Sequence, residues 1–235
     1  MPRKKKDKPQ DSNYWLFRPL IDEHRDWHGA SPNWVQEYWD SNNHPHRRFL
    51  ASAIIGLGAE SVLEVGCNCG TNLRVLREMG FSDTSLAGVD INADVIAKGK
   101  SELPAVNFQV ADAINIPFPD YSFDCTFLDA VLIYIQPDDI EHVISEISRV
   151  TRKFLILVEW FDNNSIQGVL KNNHWARNYE KLLSKFGWEV TKRKISFEEW
   201  PNKNWAKYGY IFTGKKIDNA IPERTQIIKD EEELH

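Results

Sequence analysis

The sequence contains few cysteines and no long apolar run, and each absence excludes a class of protein. Its three cysteines, Cys67, Cys69 and Cys125, are too few for a disulfide framework. Cys67 and Cys69 lie close enough to suggest a metal pair, but no second cysteine-rich pair accompanies them, so we predict no metal site. No apolar stretch approaches the roughly 20 residues of a membrane span. The N-terminus also lacks the apolar part of a signal peptide, so we expect a cytoplasmic protein without a membrane partner.

The chain also lacks an excess of positive charge. Its net charge of -5 argues against a broad nucleic-acid surface, because phosphate binding is driven by clustered cations. The basic run from Arg3 to Lys8 is the exception, and a solubilising tail is a simpler interpretation than a nucleic-acid arm. We therefore expect no nucleic-acid partner, a disordered basic tail at residues 1–10 and a charged tail at residues 217–235.

The segment from Val62 to Leu73 is the most informative part of the sequence, because an apolar strand runs into a glycine turn and then a helix. Gly66 and Gly70 allow positive φ angles and a close approach of backbone to ligand. The helix that follows offers unpaired N–H groups and its positive dipole end. Glu64 would repel a dinucleotide pyrophosphate, whereas it suits a ligand that carries an ammonium or sulfonium group.

With these residues the chain resembles the class I S-adenosylmethionine-dependent methyltransferases, whose first motif reads roughly (V/L)-L-(D/E)-x-G-x-G-x-G. Asn68 stands where the family has its middle glycine, and asparagine tolerates positive φ better than other non-glycine residues. The resemblance implies that the protein is an enzyme and that S-adenosylmethionine is its cofactor. The first-motif residues that we expect to bind it are Glu64, Gly66, Cys67, Asn68, Gly70 and Asn72.

Acidic residues recur at the ends of the following predicted strands. Asp90 comes twenty residues after Gly70, where a carboxylate that binds ribose is expected. Asp112 follows a third strand and, in the resembled family, that position lies beside the adenine ring. Because ligands bind at the carboxyl ends of parallel strands, these acids should share one edge of the sheet. The cofactor contacts predicted here are Asp90, Ile91, Asp112, Ala113, Asp129 and Ala130.

Apolar runs that alternate with helical patterns predict βαβ units. The resemblance implies an α/β fold, a Rossmann-like three-layer sandwich with a mostly parallel seven-stranded sheet whose last strand is antiparallel, over residues 59–216. Residues 172–186 predict a helix, and strands are predicted at 188–197 and 208–213. The aromatic-rich residues 11–58 predict an N-terminal helical lid, with helices that begin at Ser31-Pro32 and near Pro45.

Methyl transfer to a hydroxyl requires a base, and the spacing of residues does not choose one. His46, His174 and Glu159 are the catalytic candidates, with Asp129 and Tyr134 also open. Asp129 together with Asp162 and Asn163 is similar to the Mg²⁺ ligands of catechol-type O-methyltransferases. Since Asp162 falls beyond the predicted strand end, we do not predict a metal.

The motifs that the sequence lacks limit the classes of methyl acceptor that we expect. The fourth strand ends in Leu128-Asp129-Ala130-Val131, without the N-P-P-Y-like box or Pro-Cys pair that the family uses for amino groups of adenine or glutamine and for cytosine C5. We therefore expect a small-molecule acceptor. Residues 131–138, 157–161 and 174–183 are similar to methylases associated with nonulosonic (pseudaminic) acid and other surface-glycan gene sets, which suggests a sugar or surface-glycan precursor. An RNA- or protein-directed methyltransferase and a catalytically idle S-adenosylmethionine-binding module remain open.

Overall fold

The structure, a computed structural model, describes residues 11–19 and 33–217. Seven strands form one sheet in the order β3-β2-β1-β4-β5-β9-β8, and β6 and β7 form a separate hairpin. Strands β1 to β5 are parallel where they pair, and β9 is antiparallel to both β5 and β8. The strands are β1 (Val62–Val65), β2 (Leu86–Asp90), β3 (Asn107–Val110), β4 (Phe123–Asp129), β5 (Thr151–Trp160), β6 (Val169–Lys171), β7 (His174–Ala176), β8 (Trp188–Lys194) and β9 (Gly209–Lys216).

Helices cover both faces of this sheet. They are α1 (Ser12–Leu16), α2 (Trp34–Asp40), α3 (Pro45–Gly56), α4 (Thr71–Glu78), α5 (Ala93–Glu102), α6 (Ile140–Val150), α7 (Tyr179–Ser184) and α8 (Lys203–Tyr208). Apolar side chains of α2 to α5 pack in one cluster and those of α6 and α7 in another. Successive residues of β5 alternate between the two, with Leu155 in the second and Ile156 in the first, as the pleat of a strand requires. The predicted Rossmann-like fold is thus confirmed.

Helix α6 shows how the sequence pattern positions an element. Its apolar residues recur at intervals of three and four, so they form one stripe. Each is completely shielded from solvent against the sheet. The residues are Ile140, Val143, Ile144, Ile147 and Val150.

The predicted helix at residues 172–186 is wrong over its first half. Asn172 and Asn173 have φ angles of 44° and 64°, which makes them the turn of the β6–β7 hairpin. Paired positive φ angles with asparagine are typical of two-residue hairpin turns. His174 and Ala176 are buried while Trp175 is only partly so, which is the period of a strand, and the helix begins at Tyr179. The large residues of this segment fit both periods over so short a length.

The end of the predicted sixth strand and the start of the first predicted lid helix also differ from expectation. β8 ends at Lys194, and a connection that contains α8 then leads to β9. α3 begins at Pro45 as predicted, whereas α2 begins at Trp34, with Ser31 and Pro32 outside the described residues. The predicted tails, 1–10 and all but the first residue of 217–235, lie outside the described residues as well. In the described part of the chain, no helix is long and apolar enough to cross a membrane.

Candidate functional site

The turn after β1 has the backbone conformation that its sequence predicts. Gly66, Asn68 and Gly70 have φ angles of 75°, 51° and 84°. A Cβ atom at Gly66 would overlap the side chain of Val131, so this position requires glycine for space as well as for conformation. The backbone N–H of Asn68 donates to Oδ2 of Asp90 over 2.8 Å, which fastens the turn to the end of β2.

A cavity of about 230 Å³ opens at the carboxyl ends of β1 to β4. One side of it, which we term the sheet wall, consists of residues at these strand ends and brings together most of the predicted cofactor contacts. Those that line it are Gly66, Asn68, Asp90, Ile91, Asp112, Ala113, Asp129 and Ala130.

The opposite side of the cavity, which we term the aromatic wall, comes from the N-terminal helices and the β8–β9 connection. Its members are Trp15, Trp34, Tyr38, His46 and Trp200. The side-chain amide of Asn92, just after β2, donates to the carbonyls of Trp15 and Arg18 over 2.9 and 2.8 Å. This buried residue therefore ties α1 to the sheet wall.

Four predicted cofactor contacts do not line the cavity. The Cys67 side chain is fully buried against Gly88, and burial raises the pKa of its thiol well above the usual value. Gly70 lies against the ring of Phe108, where a larger residue would not fit. The other two, Glu64 and Asn72, belong to a buried polar network directly behind the cavity.

Asn72 is the centre of that network. Its Nδ2 donates to Oε1 of Glu64 over 2.7 Å and to Oδ2 of Asp129 over 3.0 Å. Its own Oδ1 accepts from Nη1 of Arg47 over 2.6 Å. Burial raises the pKa of Glu64 well above its usual value. Burial also opposes ionisation of Asp129, but the charges and hydrogen bonds of His46, Arg47 and Asn72 outweigh it, so the pKa of Asp129 is lowered.

His46 is held on three sides. Its Nε2 lies 3.0 Å from Oδ2 of Asp129, and its Nδ1 contacts Nδ1 of His44. Its ring stacks on Trp200 with the centroids 4.0 Å apart, and Trp200 stacks in turn on Trp205 at 3.8 Å. The orientation of the imidazole is therefore fixed before any ligand binds, which is what catalysis by a positioned group requires.

Glu159, another catalytic candidate, is buried beside the segment that follows β4. It accepts hydrogen bonds from the backbone N–H groups of Val131, Leu132 and Ile133 at 2.9, 2.8 and 3.1 Å. Burial raises the pKa of this carboxyl to about 8, although the three N–H groups lower it. Val131 lines the cavity and Glu159 does not, so Glu159 positions part of the cavity lining from behind.

The third candidate, His174, also lies away from the cavity lining. It is buried on β7, and its Nδ1 lies 2.8 Å from the carbonyl of Asn172. Its ring packs against Trp160 and Tyr134 at centroid distances of 4.8 and 5.2 Å. Of the three candidates, the structure places only His46 at the cavity.

Asp129 and Asp162, the pair considered for magnesium, have separate partners. Oδ1 of Asp162 accepts from the backbone N–H of Asn164 over 2.9 Å, and its Oδ2 lies 3.1 Å from Nζ of Lys171. Asp129 bonds to His46 and Asn72. Among residues 11–19 and 33–217, no group of three or more histidine, cysteine or acidic side chains is arranged to hold a metal ion.

Comparison with known proteins identifies the kind of domain that the first strands of the sheet belong to. Residues 62–153 match the family model described as "Methyltransferase domain". Residues 62–153 therefore carry a methyltransferase domain of the S-adenosylmethionine-dependent kind, and the predicted cofactor, S-adenosylmethionine, is confirmed. The match covers the strands that build the sheet wall and leaves out the segments that build the aromatic wall.

The individual proteins that this chain resembles are only distantly similar to it. The chain is 29% identical over 149 residues to an uncharacterized protein of Haemophilus influenzae, covering 59% of this chain and 58% of that one. It is 35% identical over 88 residues to cycloartenol-C-24-methyltransferase of Arabidopsis thaliana, covering 35% and 26%. Thus the chain spans less than two thirds of the length of either relative. Among solved structures, magnesium protoporphyrin IX methyltransferase from Synechocystis PCC 6803 with bound S-adenosylmethionine aligns with a TM-score of 0.58 and 15% identity, covering 87% of this chain and 91% of that one.

Proposed function

We propose that this protein transfers a methyl group from S-adenosylmethionine to a small-molecule acceptor. The observation that carries the proposal is the continuous cavity that joins the glycine turn and the acids of the sheet wall to the imidazole of His46. A methyltransferase must hold donor and acceptor together in an enclosed space, because alignment of the reacting atoms supplies much of its catalysis. One cavity with two chemically different walls suits that task.

The sheet wall is the proposed cofactor site, and its residues suit the parts of this molecule. Asp90 would accept hydrogen bonds from the ribose hydroxyls, and Asp112 with Ala113 would border the adenine ring. Oε2 of Glu64 and Oδ1 of Asp129 are buried without a hydrogen-bond partner among the described residues. Such oxygens suit a primary ammonium group, because a buried charge needs a partner. The bound cofactor supplies a methyl carbon activated by its sulfonium group.

The other predicted cofactor residues have supporting roles in this proposal. Ile91 and Ala130 would contribute apolar surface to the sheet wall. Three more would act from behind it, by shaping the turn or by orienting the carboxylates, and these are Cys67, Gly70 and Asn72.

The aromatic wall is the proposed acceptor side, and residues 11–58 are proposed to act as its lid. Trp15, Trp34 and Tyr38 all come from this N-terminal region and line the cavity. Aromatic rings exclude water and offer flat apolar surface to a bound molecule. The hydrogen bonds from Asn92 to α1 support a lid that meets the cofactor site directly.

We propose His46 as the base when the acceptor is a hydroxyl, in preference to His174 and Glu159. It lines the cavity and pairs with Asp129, which would stabilise the imidazolium formed when His46 takes up a proton. Glu159 and His174 are instead proposed to shape the segment after β4, which both of them contact.

A small acceptor is supported by the cavity of about 230 Å³ and by the names of a sequence relative, cycloartenol-C-24-methyltransferase, and of a structural neighbour, magnesium protoporphyrin IX methyltransferase. A sugar or surface-glycan precursor is the finer proposal, supported by resemblance of short segments and by rings on which a sugar face can stack. An RNA- or protein-directed enzyme and an idle binding module are the rival functions.

Accumulation of S-adenosylhomocysteine tests the proposal. The protein is incubated with S-adenosylmethionine and a small-metabolite extract, and the product is measured by mass spectrometry. Turnover with this extract in the wild type, and its loss in a folded Gly66→Val variant, are expected. Cofactor binding without turnover on any extract would favour the idle module. A requirement for an RNA or protein fraction, with a rate that falls steeply with salt for RNA, would favour a macromolecular acceptor.

A further inference from the structure

The segment after β4, residues 131–135, is held through its backbone by two buried side chains. Both oxygens of Glu159 accept from the N–H groups of the first three residues of this segment, at 2.9, 2.8 and 3.1 Å. The guanidinium of Arg177 donates to the carbonyl oxygens of Leu132 and Ile135. Glu159 and Arg177 are both completely shielded from solvent. One side chain therefore satisfies N–H groups, and the other satisfies carbonyl groups, of the same short turn.

Arg177 belongs to an element that lies outside the cavity lining. It directly follows β7, and its Nε donates to the carbonyl of Gln167, ahead of β6, over 3.0 Å. Its backbone N–H donates to the carbonyl of Trp160 over 3.0 Å, so it is tied to β5 next to Glu159. Among the described residues that line the cavity, none comes from the β6–β7 hairpin or is Arg177 itself. The hairpin therefore reaches the cavity through residues 131–135.

The same segment contacts both walls of the cavity. Its residues Val131 and Tyr134 line the cavity. The Val131 side chain fills the space beside Gly66 that an added Cβ atom would need. The Tyr134 ring packs edge to face with Trp15 of α1, with the centroids 5.1 Å apart. A shift of this segment would therefore move the glycine turn and the proposed lid relative to each other.

We propose that Arg177 and Glu159 are positioning residues for methyl transfer, which set the place of residues 131–135 between the donor and the acceptor. This inference rests on the function proposed above, and it gives the β6–β7 hairpin a role in the transfer step. If either side chain is altered, buried backbone groups lose their partners and the segment must move to regain them. A displacement of about 1 Å between reacting groups can cost about one-hundredfold in rate. Cofactor affinity should change much less, because the acids of the sheet wall stay in place.

Hydrogen exchange of the free wild type, followed residue by residue by NMR, tests the restraint without any acceptor. The amides of Val131, Leu132 and Ile133 should exchange at least about one-hundredfold more slowly than in an unstructured peptide, because buried hydrogen bonds protect them. Adding S-adenosylhomocysteine should change their exchange by less than about threefold, since the segment is already held before the ligand binds. In Arg177→Lys the same amides should exchange about five- to fifty-fold faster.

Two conservative variants each weaken one side of the restraint, and initial rates with an acceptor identified from an extract give their kcat. Arg177→Lys keeps the positive charge but loses the planar fork that reaches two carbonyls, so kcat should fall by about ten- to one-hundredfold. Glu159→Gln places an amide donor where an oxygen accepted, and kcat should fall in the same range. In both variants the Kd of S-adenosylhomocysteine should stay within a few-fold. The double variant should be little slower than the slower single variant, because both side chains hold one segment.

Arg149→Lys is the matched control. The guanidinium of Arg149 also donates to two backbone carbonyls, those of Phe118 and Ile116, each over 2.8 Å. These three residues lie outside the cavity lining, so this variant should keep its kcat. Rates are compared at a temperature where circular dichroism shows each protein to be folded, so that loss of folded protein does not imitate a loss of kcat.

The inference is overturned if the three amides exchange in the free wild type as fast as in an unstructured peptide. It is equally overturned if a folded Arg177→Lys or Glu159→Gln variant keeps the kcat of the wild type, or if Arg149→Lys loses as much. Should neither variant fold, hydrogen exchange of the wild type decides. A wild type that transfers no methyl group with any extract would instead contradict the proposed function, while hydrogen exchange would still test the restraint.

Discussion

The sheet wall and the aromatic wall face each other across one cavity but are built in different ways. The sheet wall consists of short segments that each follow a strand, so parallel strand pairing alone brings Gly66, Asp90 and Asp112 to one edge. The aromatic wall needs two segments from opposite ends of the chain, and Trp200 meets His46 only when both have packed. Under the proposed function, cofactor recognition would follow from the fold, whereas acceptor recognition would depend on segments particular to this chain.

The two walls meet at Asp129 and Asn92. Asp129 ends β4 and bonds to His46 of the aromatic wall. Asn92 follows β2 and bonds to the carbonyls of Trp15 and Arg18. Substitutions on one wall should therefore affect one ligand, while substitutions at the junction should affect both.

The variant His46→Gln should have the largest effect and should separate the roles of the two walls most clearly. Removing a general base lowers the rate by about 10²–10⁴-fold, while cofactor affinity should change little because His46 lies on the aromatic wall. Initial rates with an acceptor identified from an extract, and calorimetry with S-adenosylhomocysteine, measure the two effects. His174→Gln is the matched control and should keep its rate within a few-fold. Equal losses in the two variants would remove the distinction between them.

The variant Asp90→Ala tests the sheet wall, and its main effect should be on cofactor affinity. Hydrogen bonds to a charged group contribute roughly 1.5–3 kcal/mol, so cofactor affinity should fall by about ten- to one-hundred-fold. Asp94→Ala removes an exposed carboxylate four residues away and should leave the affinity unchanged. Unchanged affinity in a folded Asp90→Ala variant would exclude Asp90 from the cofactor site.

The smallest expected effect concerns the junction at Asn92. Asn92→Asp keeps the oxygen that caps α5 but replaces the amide that donates to Trp15 and Arg18. Two hydrogen bonds contribute on the order of 1–3 kcal/mol, so amide hydrogen exchange in residues 12–18 should be faster by about five- to one-hundred-fold. Exchange in α5 should change much less. A uniform increase throughout the protein would indicate general destabilisation instead.

Sequence reasoning predicted those parts of the cavity whose residues lie close together in the chain. The strand, the glycine turn and the following helix are adjacent, and the acids come in phase with the strands, so the sheet wall could be predicted. The pair His46 and Asp129 is separated by 83 positions, and only the folded chain selects it among the candidate bases. Trp200 was missed because no motif marks it, and Arg47 was considered only as part of the N-terminal lid.

Glu159 shows a second limit of sequence reasoning. Its place near the end of a strand is the same as that of the acids predicted to bind the cofactor, so position alone suggested a functional role. In the structure it binds three successive N–H groups of a neighbouring segment, which is a structural task for a buried carboxylate. The distinction depends on which partner the side chain meets, and that partner lies in another loop.

Transfer of an isotope-labelled methyl group tests the central claim most directly. The protein is incubated with methyl-tritiated S-adenosylmethionine and a whole-cell extract, which is then divided into small molecules, RNA and protein. The account predicts that the label enters the small-molecule fraction with the wild type and is reduced by at least about one-hundredfold with His46→Gln. Label that enters RNA or protein, or equal transfer by the two proteins, would contradict it.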